Sequence, residues 1–551
     1  MLKSKIDLRP LLYLLPAFTM WFFIFSPYIS YHIMHVDSAV YIQVAKKLLA
    51  GGVPYRDMWD HKPPMIYFLY ALILKLFGSK NYVMINYVTL FFLFSSTILL
   101  YKILRKMLSI KNSALICFIY PIFSDIVLLR DSLNPNTEIY MNTFNLSAVL
   151  VGLGAIMNND KKTLVVAGFL AGVASAFKQP AGTVMIALSI GFVIYEFKTK
   201  RWIDLFLGLM NVWIGFVAVW IIIGLYFLLN CAWVDFLFGC FQFNFAYGGE
   251  IPLVYIVEGI LKIHLNLLLV YPWHFVLFYF GIGWCLYNIV VKKYDYQKRF
   301  MMKFFLIWHL CDTVSASMGG LFYPHYFVQW VPSCLIIMYL PMLYFFQELS
   351  LSNRYMLRYR AGMFIYIAFV FGQTFFTREG VSFFRGWIYY PVLEHAKYLK
   401  KWETVIGPNF KKYPVTCSPK QYYKMVEIVD AIHKKVPVGE KFLVWGLFPE
   451  LYLLADREPA SKYLFNVVLR GTVSGLPSIY RRKNAPIWRY YDRVRKEFLS
   501  DLDKNKPNLI VVIDKDIAPQ IRFFFDYLDT FYEKRELDFY TELDFYYRKD
   551  I

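Results

Sequence analysis

Residues 35–64 read HVDSAVYIQVAKKLLAGGVPYRDMWDHKPP. This is the least apolar part of a very apolar N-terminal region, and runs long enough to span a bilayer lie on either side of it. Between them stand Asp37, Arg56, Asp57, Asp60, His61 and Lys62. Charges packed this densely against a membrane are expensive, so their presence marks a task. Residues 38–50 read as a short amphipathic helix, with Val40, Val44 and Leu48 on one stripe and Gly51-Gly52 ending it. Pro63-Pro64 open a second helix over about 64–77, since proline suits a first turn. Both are short for spans and are expected to lie along the interface.

Working outward, the 551 residues are 58% hydrophobic and 20% aromatic, with mean hydropathy +0.43. Soluble domains sit near 45–50% apolar, so the chain reads as a polytopic membrane protein. The net charge of +20 would suggest nucleic acid in a soluble protein. Here the basic residues cluster in short loops between apolar runs, the positive-inside pattern, and no nucleic-acid partner is expected. The seven cysteines (Cys117, Cys231, Cys240, Cys285, Cys311, Cys334, Cys417) are scattered and form no CxxC pair, against a disulfide framework or zinc site. The basic start, MLKSKIDLRP, leads into an apolar run without a small-residue cleavage site and reads as an uncleaved first span.

Apolar length and basic caps predict about 11 transmembrane helices, over about 11–31, 82–101, 113–129, 139–157, 163–177, 181–197, 206–230, 265–290, 303–320, 326–347 and 361–377. Each inner loop carries at least two Lys or Arg. The alternation leaves the N-terminus cytoplasmic. It places the first loop (32–81), RDSLNPNTE, KQP, an aromatic loop over about 231–263 and PHY on the outer face. From about 378 the composition turns mixed, and FLVWG (442–446) and NLIVVI (508–513) read as buried strands, with helices at 421–435 and 489–503. The expected organisation is therefore a membrane domain, 1–377, and an extracytoplasmic α/β domain, 378–551.

Asp37 directly follows the first span. A carboxylate there can act as general base towards an acceptor hydroxyl, and it can equally cap the following helix. Lys62, in HKPP, offers the fixed cation that a departing phosphate requires, or an interfacial lysine reaching for headgroups. Arg56 and His61 can assist it or pair with Asp57 and Asp60. Glu138, in NPNTE, is a second candidate acid, or a first-turn glutamate favoured by the helix dipole. Lys178 and Gln179 stand at a hairpin tip, and His325 and Tyr326 open a span. Each can contact phosphate or sugar, or serve as a polar cap. The sequence holds no Gly-rich nucleotide loop, Ser-His-Asp order or HExxH motif. A lipid-linked donor fits that pattern better than a nucleotide sugar.

Asp37, LLAGGVPYRDMWDHKPP, NPNTE (134–138), KQP (178–180) and PHYFVQWVP (324–332) together resemble the glycosyltransferase C superfamily. The likeness is to the branch holding dolichyl-phosphate-mannose protein mannosyltransferases and the aminoarabinose transferase of lipid A. It spans about 330 residues in family order, and VWGLFPELYLLADREPASKY (444–463) resembles the C-terminal domain of bacterial members. The resemblance implies a glycosyltransferase that moves a sugar from polyprenyl phosphate to an acceptor on the outer face of the cytoplasmic membrane, with inversion. It implies Asp37 as base, Lys62 as contact to the lipid phosphate and Glu138 as second acid. Arg56, Lys178 and His325 become candidate phosphate contacts, and Tyr55, His61, Gln179 and Tyr326 candidate substrate contacts. Many members carry an acidic pair in the first loop. Here Ser38 follows Asp37, which bears against any role needing two adjacent carboxylates; a divalent metal stays open. The acceptor is left as lipid, glycan or protein.

Two rivals remain. An oligosaccharide ligase or polymerase shares these features. A transporter or flippase of lipid-linked sugars would carry ionisable groups deep in its spans, whereas the sequence groups them at one face.

Overall fold

The computed structural model describes residues 9–30, 36–124, 134–197, 202–248, 251–320, 322–350, 419–470, 490–515, 519–535 and 543–549. The expected span at 361–377, its basic flank (Arg354, Arg358, Arg360), the domain junction near 378, Arg130, Asp131 and Cys417 lie outside them. The helices before the C-terminal domain are α1 (Arg9–Ser30), α2 (Val36–Leu49), α3 (Met65–Phe77), α4 (Val83–Leu104), α5 (Ile110–Ile122), α6 (Thr137–Met157), α7 (Thr163–Phe177), α8 (Thr183–Glu196), α9 (Trp202–Leu229), α10 (Trp233–Phe236), α11 (Phe243–Gly248), α12 (Leu253–Val270), α13 (Pro272–Val290), α14 (Tyr296–Ser317) and α15 (Val331–Ser350). Among the described residues seven helices are long and apolar enough to cross a membrane. The protein is a polytopic α-helical membrane protein with a C-terminal α/β domain.

The chain divides into two compact units. The first comprises Met1–Ser26, Val88–Ile223 and Leu253–Trp387. Its helices approach closely where side chains are absent. A Cβ on Gly168 of α7 would stand 1.9 Å from the Val212 carbonyl oxygen of α9, and one on Gly172 2.8 Å from that of Phe216. Facing them, a Cβ on Gly215 would meet the Val165 carbonyl oxygen at 2.0 Å. This is the small-xxx-small contact of membrane helices, where dispersion between backbones replaces the hydrophobic drive.

The second unit comprises Pro27–Tyr87, Gly224–Pro252 and Ile388–Ile551. The first-loop helices α2 and α3, the segment after α9 and the C-terminal domain thus pack as one body. The α2 helix is buried on every side from Ser38 to Ala45, so the expected amphipathic surface helix is instead a core helix. Asp37 sits in its first described turn rather than at a cap position. Gly51 (φ +87°) follows its end, and Pro64 precedes α3.

The C-terminal domain adds α16 (Pro419–Lys435), α17 (Glu450–Leu454), α18 (Val467–Arg470), α19 (Tyr491–Asn505) and α20 (Arg522–Phe531). Its strands are β1 (Lys441–Trp445), β2 (Glu458–Pro459), β3 (Leu509–Val512), β4 (Tyr532–Arg535) and β5 (Asp544–Arg548), in the order β2-β1-β3-β5-β4. The β2-β1-β3 part is parallel, while β3-β5-β4 is antiparallel. Alternation along β1 sends Phe442 and Trp445 to opposite faces. Phe442 meets Tyr452 of α17 (ring centroids 4.8 Å), and Trp445 stacks on Phe524 of α20 (3.8 Å) beside Phe498 of α19.

Two expectations change between residues 231 and 290. The aromatic loop at 231–263 is helical: α10, a π-helical turn over Leu237–Gln242, α11 and then α12. The single span at 265–290 is two helices, because Pro272 breaks the run after Tyr271. The α12 helix has no buried residue. Each of the two is long and apolar enough to cross, so the count of sides made from basic loops does not carry through this pair unchanged.

Candidate active site

Lys62 ends a short relay in the second unit. Its Nζ lies 3.1 Å from His61 Nε2, and His61 Nδ1 lies 3.2 Å from Asp60 Oδ1. A charged lysine can only donate, so Nε2 accepts and the imidazole proton sits on Nδ1, facing Asp60. Asp60 is 2% exposed and also accepts from the Tyr67 hydroxyl at 2.8 Å. Burial opposes its ionisation, but His61, Lys62 and Tyr67 outweigh it and hold the carboxyl below its usual range. Burial, and then the charge of Lys62, hold His61 below its usual value and therefore neutral. The Asp37 charge also acts on His61.

The backbone around Lys62 is fixed from three directions. The Tyr55 hydroxyl donates to the Lys62 carbonyl at 2.6 Å, and Asn244 Nδ2 of α11 to the His61 carbonyl at 2.7 Å. Tyr55 holds φ +70°, the strained left-handed region for a non-glycine residue. Its ring is accommodated because position 239, in the π-helical turn, is glycine: a Cβ there would lie 2.4 Å from Tyr55 Cδ1. Trp59, 1% exposed, is the third anchor. Its ring meets Phe243 (5.0 Å), Tyr463 (5.6 Å) and Phe465 (5.8 Å), and its backbone N–H donates to the Lys462 carbonyl at 2.9 Å. The segment at 241–247 therefore contributes Phe243 and Asn244 to the framework of the loop.

Arg56 binds Asp57 through Nε (3.1 Å) and Nη2 (2.8 Å), and Nη1 donates to the Asn230 carbonyl. Tyr55 is buried at 1% exposure with its hydroxyl committed to Lys62. These two candidates act on the loop's shape in this structure.

The first unit holds a separate cluster. Glu138, in the first turn of α6, is 2% exposed. It accepts from Lys178 Nζ and from Thr137 Oγ1 (2.9 Å), and His325 Nε2 lies 3.9 Å away. Lys178 Nζ sits 3.4 Å above the Tyr326 ring, and His325 stacks on Tyr323. Gln179 opens the 3-10 turn after α7, and the Pro180 carbonyl accepts from Ser315 at 2.7 Å. The first-loop residues Tyr55, Arg56, His61 and Lys62 thus gather in one unit, and Glu138, Lys178, Gln179, His325 and Tyr326 in the other.

Sequence reasoning missed Asp60 as an orienting group, Trp59 as anchor and Glu450 near Asp37, treated below. It also grouped the ionisable residues at one face. In fact Asp312 (1% exposed) and His309 (7%) are buried along α14, both linked to Ser333, with His309 Nε2 accepting from Trp330. Among the described residues no three His, Cys, Asp or Glu side chains converge to hold a metal ion.

Fold and clusters together define a polytopic membrane protein with buried polar clusters in both units. Residues 61–224 match the family model of dolichyl-phosphate-mannose-protein mannosyltransferase. The fold is similar to that of ArnT from Cupriavidus metallidurans bound to undecaprenyl phosphate, with TM-score 0.53, 13% identity and 97% of each chain covered. The apo state of that protein matches at TM-score 0.52, again with 13% identity and 97% of each chain. No curated protein sequence matches. The resemblance expected from the sequence holds.

Proposed function

We propose that this chain is a membrane glycosyltransferase that moves a sugar from a polyprenyl-phosphate donor to an acceptor on the outer face of the membrane. The observation that carries the reading is Lys62, oriented by His61 and Asp60 in a loop whose Asp37 charge reaches His61. A fixed cation beside a carboxylate suits a single displacement. The acceptor oxygen attacks the anomeric carbon, and the bond from that carbon to the phosphate oxygen breaks with its electron pair going to the phosphate. Asp37 takes the acceptor proton, and Lys62 stabilises the growing phosphate charge. Inversion follows from one displacement. The family match and the ArnT-like fold support a lipid-phosphate sugar donor.

The test is transfer of label from a polyprenyl-phosphate sugar to envelope acceptors by purified protein in detergent. Wild type should transfer. Asp37→Asn should lose the step, and Lys62→Ala should slow it by about 10²- to 10³-fold, the scale for removing one transition-state contact. Full activity in Asp37→Asn removes the base from the mechanism.

The buried Asp312–Ser333–His309 group bears on a second reading, a carrier of lipid-linked sugars, because a carrier would use ionisable groups buried among its helices. Label crossing a sealed bilayer without changing its lipid carrier would select that reading.

A further inference from the structure

Glu450 is a buried acid that the proposed displacement does not use. It follows β1 through Gly446–Pro449 and opens α17. It is 5% exposed, and its Oε2 has no hydrogen-bond partner among the described residues. An unmatched buried carboxyl oxygen is costly unless something visits it.

Its place in the fold says what visits. From β1 the chain passes to β2 on one side, then crosses to β3 on the other, so the order β2-β1-β3 reverses at β1. The two crossovers cover opposite faces, as the Phe442 and Trp445 contacts require. In an open sheet, ligands enter outside the carboxyl ends of strands at such a reversal. Gly446, with φ +140°, begins that opening, and Glu450 stands four residues further on. The α17 helix packs on α2, whose first described turn carries Asp37.

We infer that Glu450 is a second carboxyl group of the transfer site, donating a hydrogen bond to the acceptor's attacking hydroxyl and sharing the proton that Asp37 receives. This rests on the transferase reading. The acceptor enters at the carboxyl ends of β1 and β3 and presents a hydroxyl between the two acids. The pair begins with one proton, on Glu450, and one charge, on Asp37. Transfer adds the acceptor's proton, so the pair ends neutral. Release of one proton to water resets it.

The protonation state required agrees with the surroundings. Burial, and then the Asp37 charge, push the Glu450 carboxyl up to about 8. Of the charged groups on the packed elements, Asp37 is the one acting on it. Lys46 of α2 lies 3.9 Å from Asp456, and Lys441 of β1 binds Asn505.

The experiment measures transfer from a labelled undecaprenyl-phosphate sugar to envelope acceptors between pH 5.5 and 9, using full-length wild type, Glu450→Gln, Glu450→Asp and Asp37→Asn. Melting temperatures are recorded at each pH. The wild-type rate should fall above about pH 8 as Glu450 ionises. Glu450→Gln should be slower by tenfold or more and lose that alkaline fall, and Glu450→Asp should recover part of both. The melting temperature of Glu450→Gln should exceed wild type most at pH 8 and above, and by progressively less as pH falls to 5.5, because the wild-type cost of keeping a raised acid folded fades towards its unfolded value. A Glu450→Gln enzyme with the wild-type rate and pH profile overturns the inference while leaving the transferase reading intact. A melting difference that ignores pH overturns it too. No transfer by wild type from any donor, with Asp37→Asn equally silent, removes the transferase reading and this inference with it.

Discussion

Asp60 shows how one buried carboxylate sets the chemistry of a neighbour it does not touch. It holds His61, and His61 holds Lys62. Asp60→Asn keeps the shape and removes the charge, leaving the Tyr67 hydroxyl and His61 Nδ1 with a poorer acceptor. The expected loss is about 1.5–3 kcal/mol of stability, the scale for hydrogen bonds to a charged group. The pH sign is fixed by the depressed value of Asp60. A carboxyl held below its unfolded value stabilises the fold above that unfolded value, near 3.8, and the contribution fades as pH falls towards the folded one. Melting curves of wild type and Asp60→Asn should therefore differ at pH 7 and converge in acid. A constant gap would mean that the lost contribution is packing. This residue was visible in the sequence only as one charge among several. The HKPP stretch gave Lys62 its candidate role, but which acid orients it depends on the positive-φ turn at Tyr55, and no local pattern there announces that turn.

Elements were legible where one period dominates. The ends of α3, α6 and α7 fall within a few residues of the expected bounds, because proline, Asn-Pro-Asn and Lys-Gln-Pro punctuate them. The strands β1 and β3 were readable as apolar runs. The strands β4 and β5 were not, because YEKR and LDFYYRK are half-exposed and charged. The α2 helix misled for the opposite reason. Its apolar stripe was real, but Ser38 and Gln43 are buried too, so a stripe with polar flanks became an all-round buried helix. The glycines of α7 tell more at this scale than its hydropathy does. Gly168→Val would drive a branched side chain into the Val212 carbonyl of α9, so the helices must separate. We expect Gly168→Val to lower the detergent melting temperature and the folded yield sharply, whereas Gly283→Val, where a Cβ meets nothing within 4 Å, should leave both near wild type. Equal behaviour of the two variants would show that the α7–α9 approach contributes little to the fold.

For the molecule as a whole, the open matter is which side of the membrane the second unit faces, and chemistry makes it decisive. That unit contains Asp37, Lys62, Glu450 and the α/β domain as one body, so all four act in the compartment that meets it. The basic loops predict that this compartment is the outer one, by the positive-inside pattern over the first spans. The split of the 265–290 run into α12 and α13 removes the later loops as independent support. A direct reporter exists in Cys231, an exposed free cysteine in this unit. In a chain carrying Cys311→Ser and Cys417→Ser, the other cysteines, Cys117, Cys240, Cys285 and Cys334, are buried. A membrane-impermeant maleimide applied to intact cells should then label Cys231 without lysis, and Cys231→Ser should abolish the signal. The exposed thiol reports sidedness because the reagent cannot cross the bilayer, whatever the fold on the far side. Labelling only after lysis would turn the unit inward. The acceptor would then have to be a cytoplasmic one, and the outer-face transfer proposed above would fall while Lys62 and its relay kept their geometry.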